Sequence, residues 1–464
     1  MNATEVVRGL LPVAVVVCSV WTSVASGGPP DPSAKLLAAD GAADDRFGGA
    51  VATSGNVAIV GAERADALST DSGCAYAYRW NGSAWTEEQK LVPADGHAGD
   101  FFGFAVAVSG DVAVIGVPYD NDNGPFSGSV YVFRWNGAAW IEEQKLRSEP
   151  SAMDDRFGYS VGVSGDVLVA GAIYGEDSGI ESGCAYVFRW NGSAWIEEQK
   201  LVPADAADGA WFGVSAAASG DVVAVGAIYD DQQGTNAGAT FVYRWNGSAW
   251  VEEQKLAPAD LSYGDQFGVA VALDGDVAVV GSWMDDDQGT NAGAAYAFRW
   301  DGSTWVLEQK LEAADGTTDD IFGHAVGVSG DVAVIGAFYC DVHGENSGAA
   351  YVYRWNGAAW VQEEKLAPSD GAAFDHFGWA VAASSERVLV GAWRDDDIGL
   401  ESGSAYVYSP AAPILGDLNG DGLVNGADLG ILLGAWGTPG PGDLNGDGIV
   451  DGADLGVLLA NWTP

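Results

Sequence analysis

Basic side chains are scarce in this 464-residue chain: 20 lysines and arginines face 65 aspartates and glutamates, a net charge of −45. Such a surface repels phosphate backbones and anionic headgroups, which excludes nucleic acid and anionic membrane lipid as partners. Long apolar runs are missing too. The longest, Leu10 to Trp21, falls short of the roughly 20 residues a membrane helix needs. It follows Arg8 and precedes the small residues Ser23 and Ala25, so residues 1–25 read as a secretory signal. An exported protein without membrane insertion, extracellular or attached to a cell surface, is the expectation. Histidine is rare, and His97, His324, His343 and His376 show no zinc or triad spacing. Of four cysteines, Cys18 lies in the signal, and an odd remainder argues against a disulfide framework.

What the chain has is repetition. Lys-Leu recurs at Lys35, Lys90, Lys145, Lys200, Lys255, Lys310 and Lys365, a period of 55 residues. Phe-Gly follows at Phe47, Phe102, Phe157, Phe212, Phe267, Phe322 and Phe377. A fixed period of this kind is one supersecondary unit that buries its apolar face against its neighbours. In the second unit Phe102–Val108 and Val112–Gly116 flank a Ser-Gly-Asp turn, and Val130–Trp135 is joined to Trp140–Leu146 through Asn136-Gly137. Asn-Gly tolerates positive φ at both positions and marks a hairpin. Four short strands per unit make one antiparallel blade.

Seven such units predict an all-β fold over residues 33–408, a seven-bladed propeller of four-stranded antiparallel blades. The Gly- and Ala-rich first strand suits the crowded axis, and Trp pairs such as Trp135 and Trp140 suit outer packing between blades. The seventh unit lacks its fourth strand, whereas Ser33–Leu37 precedes the first, so this segment is expected to close the ring as the outer strand of the last blade. Cys74 and Cys184 occupy equivalent positions two blades apart, beyond the ~7 Å that a disulfide allows. They are expected to be free and buried. Cys340 falls in an acidic loop without an evident counterpart.

Phe-Gly, an Ala-Val strand and the closing Gly-Ala (Gly171-Ala172, Gly226-Ala227, Gly336-Ala337) resemble the FG-GAP repeat, the family of the seven-bladed head of integrin α subunits. Several repeats of that family hold calcium between the first two strands. Here that turn is a bare Ser-Gly-Asp (Ser109–Asp111, Ser164–Asp166, Ser219–Asp221), so no propeller calcium is carried over. The acids instead gather in loops after strands two and four, among them Asp120, Asp285 to Asp287, Asp395 to Asp397, Asp40, Asp95 and Asp375. Strand alternation puts these loops on one face, expected to be strongly acidic.

Residues 409–414 read as a Pro-containing linker, and beyond it a 26-residue rhythm replaces the 55-residue one. Asp417, Asn419, Asp421, Leu423, Asn425 and Asp428 repeat as Asp443, Asn445, Asp447, Ile449, Asp451 and Asp454. Oxygen donors at loop positions 1, 3, 5, 9 and 12, a backbone carbonyl at 7 and Gly at 6 are the spacing of an EF-hand calcium loop. Each loop leads into one short helix with apolar residues at i, i+3, i+4 and i+7 (Leu429, Leu432, Leu433, Trp436; Leu455, Leu458, Leu459, Trp462). Residues 415–464 resemble a type I dockerin, with Asp at position 12 and no helix before either loop. The resemblance implies two Ca2+ ions, a small α-helical calcium-binding module and docking to a cohesin-type domain. Gly426-Ala427 and Gly452-Ala453 stand where hydroxyl residues often select that partner.

Two functions compete. A secreted non-catalytic binding or adhesion scaffold, with an extracellular polysaccharide or surface protein as propeller ligand, fits the regularity of the repeats. A dockerin-tethered glycoside hydrolase or polysaccharide lyase is the alternative, since such enzymes need only two suitably placed carboxylates. No catalytic or cofactor-binding residue stands out.

Overall fold

The computed structural model describes residues 32–148, 153–176, 179–205, 207–409, 415–418, 423–438, 440, 442–445 and 448–463. The expected signal at 1–25 and linker residues 410–414 lie outside these. The described residues fall in two units, one ending at Ser409 and the other in the C-terminal tail.

The first unit is seven four-stranded antiparallel sheets. The second blade shows the plan. Its strands, from axis to rim, are Ala105–Ser109, Val112–Val117, Ser129–Trp135 and Trp140–Leu146. Val112–Val117 is buried at every position, as expected of a strand covered on both faces by adjacent blades. The hairpin after Trp135 is a four-residue loop in which Asn136 Oδ1 accepts the amides of Ala138 and Ala139. A bulge in the outer strand, between the pairs of Val132 and Phe133, recurs in each of the first six blades and is not visible in the sequence.

Phe-Gly is the joint between blades. Phe102 is buried edge-on against Tyr131, 5.4 Å between ring centroids, and pairs in parallel with Gly73 of the preceding blade. Gly103 has φ +93°, and a Cβ there would meet the Cys74 carbonyl oxygen at 2.3 Å. Only glycine lets the backbones approach this closely.

The ring closes as expected. Ala34–Leu36 is the outer strand of the seventh blade, paired antiparallel with Ser404–Tyr408 (Ala34 with Val407, Lys35 with Tyr406, Leu36 with Ala405). Among the described residues Cys74, Cys184 and Cys340 are buried and in no disulfide. Cys340 does have counterparts: it stands one period from Asp285 and Asp395, in the same loop position.

The tail carries helices α1 (Gly426–Gly434) and α2 (Gly452–Ala460). Asn425 and Asp451 cap them, each accepting the amide two residues on. Val424, Leu432, Val450 and Leu458 form the core. Leu433, Trp436, Leu459 and Trp462, apolar by helical spacing, are exposed instead. No described helix is long and apolar enough to cross a membrane.

Candidate functional site

The acidic loops do meet on one face, because Tyr296 Oη contacts both Asp260, after an outer strand, and Asp285, after a second strand. Their carboxylates are nonetheless engaged. Lys145 Nζ lies 2.7 Å from Asp120 and Asp122 and 3.0 Å from Asp95, and 4.9 Å from the Tyr131 ring centroid. Burial pulls the Asp120 carboxyl up, but hydrogen bonds from Lys145 and Ser129 outweigh it and hold it below the ordinary value. Lys35 repeats the arrangement with Asp370, Asp395 and Asp397. Asp285, Asp287 and Glu312 have carboxylate oxygens close enough to share a cation. Lys310 already supplies one, with its ammonium 2.8, 2.6 and 3.8 Å from them. In blade 6 Cys340 takes the aspartate position and Lys365 Nζ sits 3.3 Å from its sulfur.

The acids just before Phe-Gly are structural as well. Asp100 and Asp375 are buried and accept the amides of His97 and Ala372. Burial pushes both up to about 6. The strongly acidic face is therefore largely a set of ion pairs within the chain and turn hydrogen bonds.

Variation lies nearer the axis. The residue after Phe-Gly is Gly49, Phe104, Tyr159, Val214, Val269, His324 and Trp379 in successive blades. All but Gly49 line a 240 Å³ cavity on the axis, floored by the small residues of the innermost strands. In blade 1 a Cβ at position 49 would meet Glu63 Oε2 at 2.6 Å, so glycine leaves room for that side chain. The residue before Phe-Gly varies too, and Arg46, Phe101, Arg156, Trp211, Gln266, Ile321 and His376 all have φ between 52° and 59°. Left-handed backbone is costly for such side chains, so the ring must impose it.

These two columns form an aromatic rim. Phe104 lies 5.0 Å from Tyr159, and His324 is wedged among Trp379, Phe338 and Trp283 at 4.5, 4.7 and 5.2 Å. His324 Nδ1 is 3.1 Å from the Trp379 carbonyl oxygen. A carbonyl only accepts, so Nδ1 carries the proton and Nε2 of the neutral ring is an acceptor. Burial holds the imidazole down to about 4. His376 is also down to about 4, through burial and then the Arg394 charge. Sequence reasoning missed the rim. Aligning the seven copies column by column exposes it.

In the tail, Asn419, Asp421 and Asp447 lie outside the described residues. Asp428 accepts the amides of Leu418 and Asn425, and Asp454 those of Leu444, Asn445 and Asp451. Asp443 accepts the Gly448 amide. The Leu423 and Ile449 side chains are exposed, leaving the backbone carbonyl as the oxygen each can turn inward. Asp417, Asn425 and Asp451 are the remaining described residues at these positions and carry oxygen donors of the hard type that calcium prefers.

A family model described as FG-GAP repeat matches residues 32–78, 85–133, 140–188, 195–243, 250–298, 305–353 and 360–408, and the chain belongs to that family. No curated protein matches the chain. Among solved structures it is similar to Saccharomyces cerevisiae Sqt1, at 10% identity and TM-score 0.44, over 82% of this chain and 99% of that one. It is also similar to PpgL, the periplasmic gluconolactonase of Pseudomonas aeruginosa, at 13% identity and TM-score 0.44, over 70% and 86%.

Proposed function

We propose that this member of the FG-GAP repeat family is a secreted, non-catalytic binding scaffold whose C-terminal dockerin module takes two calcium ions and docks to a cohesin-type partner. The observation that carries the binding reading is the split between constant and varied positions. Lysine, tyrosine, Phe-Gly and the outer Trp pairs recur around the ring, whereas the two rim columns hold a different mixture in nearly every blade. Constant framework with variation confined to one opening is how a scaffold displays a recognition surface. The enzyme alternative needs one carboxylate held protonated opposite a second, free one. The buried acids of this face are tied to lysines, tyrosine hydroxyls or turn amides, which favours binding over turnover.

Two features support the dockerin reading of the tail. The hydrogen bonds around Asp428 recur around Asp454 at the 26-residue offset. The exposed Leu433 and Trp436 recur as Leu459 and Trp462, giving two equivalent apolar patches for a protein partner. Calcium bound there would neutralise the clustered carboxylates and order the loops, so metal and folding are coupled. The test uses the full chain and its Asp417→Ala/Asp443→Ala variant. Calcium should raise helical circular dichroism and permit capture by an immobilised cohesin in the parent alone, with propeller unfolding unchanged. Retention on a polysaccharide matrix without reducing-end release supports the scaffold. Sustained release abolished by one carboxylate substitution installs the enzyme.

A further inference from the structure

The few cations of this chain are distributed very unevenly. All seven lysines lie over the Tyr or Phe ring of a third strand, beside the acidic loops. Arg79, Arg134, Arg189, Arg244 and Arg299 lie over tryptophans of the next blade. Arg354 pairs with Glu363, Arg387 covers Trp80 and Arg147 pairs with Asp122. Among the described residues that leaves Arg46, Arg64, Arg156 and Arg394. All four come from the rim columns or from the loop just after a second strand, and all touch rim aromatics.

Two of them, Arg46 and Arg394, meet where blade 7 adjoins blade 1, and Arg64, over Phe101 of blade 2, is near enough for its charge to act on Arg46. The Arg46 and Arg394 guanidinium carbons lie 4.3 and 5.2 Å from the Trp393 ring centroid. Arg46 reaches Glu63 at 3.7 Å and Glu401 at 3.8 Å, and Arg394 Nε donates to Glu401 at 3.0 Å. Burial lowers the Arg46 pKa, opposed by Glu63, and the charges of Arg64 and Arg394 push it the same way as burial. Burial also lifts Glu63 to about 7. Three guanidiniums therefore stand against two carboxylates, Glu63 and Glu401, and the corner is locally positive in a chain of net charge −45.

The same corner holds nitrogen atoms with nothing to bond. Arg46 Nε, Trp393 Nε1 and His376 Nδ1 are buried without a partner. His376 is only 4% exposed, with its ring 5.5 Å from Trp393 and nearly parallel to Trp379 at 6.4 Å. Arginine and indole N–H groups donate only, so what they lack is an acceptor. Buried donors left unmet are costly, and a ligand that satisfies them gains that cost back as affinity. Trp379 lies 5.5 Å from Trp393 and also lines the axial cavity together with Phe104 and Tyr159. An acceptor-only anion on a ring with flat C–H faces matches both halves of the site.

We propose that Arg46, Arg64, Trp393 and His376 bind the carboxylate of a uronic-acid residue of an anionic glycan, with Trp379 stacking on its pyranose ring. The inference rests on the binding-scaffold reading and narrows it to a ligand class and a corner of the rim. The cations it requires are already in the chain.

The test is calorimetric and tryptophan-fluorescence titration of the full chain, in chelator, with trigalacturonate, galactotriose and triglutamate. Trigalacturonate should saturate, and the other two should bind at least about tenfold more weakly, the scale of a lost charge-assisted contact. Arg64→Gln, a rim change outside the core, should weaken trigalacturonate binding about tenfold with unaltered thermal unfolding. Trp379→Leu should weaken it and remove most of the fluorescence change. Equal affinity for galactotriose or triglutamate, binding that requires calcium, or indifference to Arg64→Gln would overturn the site. If trigalacturonate fails while the protein is still retained on another polysaccharide, the uronate site is wrong and the scaffold stands. If the propeller is retained on no polymer or surface component, the scaffold reading itself falls.

Discussion

Five blade junctions are sealed in one way and the two flanking blade 7 in another. At each regular junction a glutamine of one outer strand clasps the first tryptophan of the next. Gln144 donates to the Trp195 carbonyl at 2.9 Å and accepts its amide at 2.8 Å, while Glu143 accepts the Trp195 indole N–H at 3.2 Å. Arg134, paired with Glu143, lies 4.5 Å over Trp190. Around blade 7 these parts are missing. Glu364 replaces the glutamine and keeps a buried oxygen without a partner. Ala34 and Ser33 stand where Gln and Glu would reach Trp85, whose indole nitrogen is buried and unpartnered. Arg387, from a second strand, covers Trp80 and Trp85 at 5.1 and 5.4 Å in place of the absent third-strand arginine. A repeated chain can seal its joints with a repeated side-chain kit. A joint made by the two ends of the ring must rely on backbone pairing and Lys35.

The largest way to break this contrast is to remove residues 32–36. Three residue pairs of one ladder go, and buried Asp395 loses its ammonium, together costing about 5 kcal/mol or more. Guanidine denaturation should show a large fall in midpoint and an early transition confined to blade 7. Next, Lys310→Met strips the cation from Asp285 and Asp287 within a regular blade and should cost about 3–5 kcal/mol by the same assay, with Asp285→Asn restoring part of it. Gln144→Leu should cost about 1–3 kcal/mol by leaving the Trp195 backbone groups unmet. The reverse experiment sharpens the contrast. Ala34→Gln/Ser33→Glu should give the seam the regular clasp and stabilise it by about 1 kcal/mol.

The last effect is on pH dependence. Burial holds His324 down to about 4, whereas an unfolded imidazole titrates near 6.5. Unfolded chains bind that proton first, so this contribution to stability is lost as pH falls from 6.5 to 4. His324→Phe removes the penalty, and its Tm relative to the parent should rise across that window by roughly 2–4 °C. A constant gap would mean that the ring is not titrating as placed.

Most of the fold is legible in the sequence, because period, Phe-Gly and Asn-Gly each dictate backbone geometry. Even the closure by Ser33–Leu37 follows from matching a missing strand with an orphan one. Charge was harder to place. Lys310 and Asp285 are 25 residues apart, and nothing local shows that the lysine stem folds over Tyr296 to reach that carboxylate. Spacing alone therefore does not show that these acids are paired. The rim was present as two variable columns, but its significance needed the knowledge that both columns converge on the axis. In the tail, helical spacing marked Leu433 and Trp436 as apolar without saying that Leu432 alone of that face is fully covered.

The position of the last strand also has a mechanical side. Ser404–Tyr408 is an interior strand, held by Arg387–Ala392 on one edge and by Ala34–Leu36 on the other. Tension arriving along the chain beyond Ser409 thus loads two rows of backbone bonds in shear at once, instead of peeling an edge strand one bond at a time. The segment that closes the ring doubles as its strain relief.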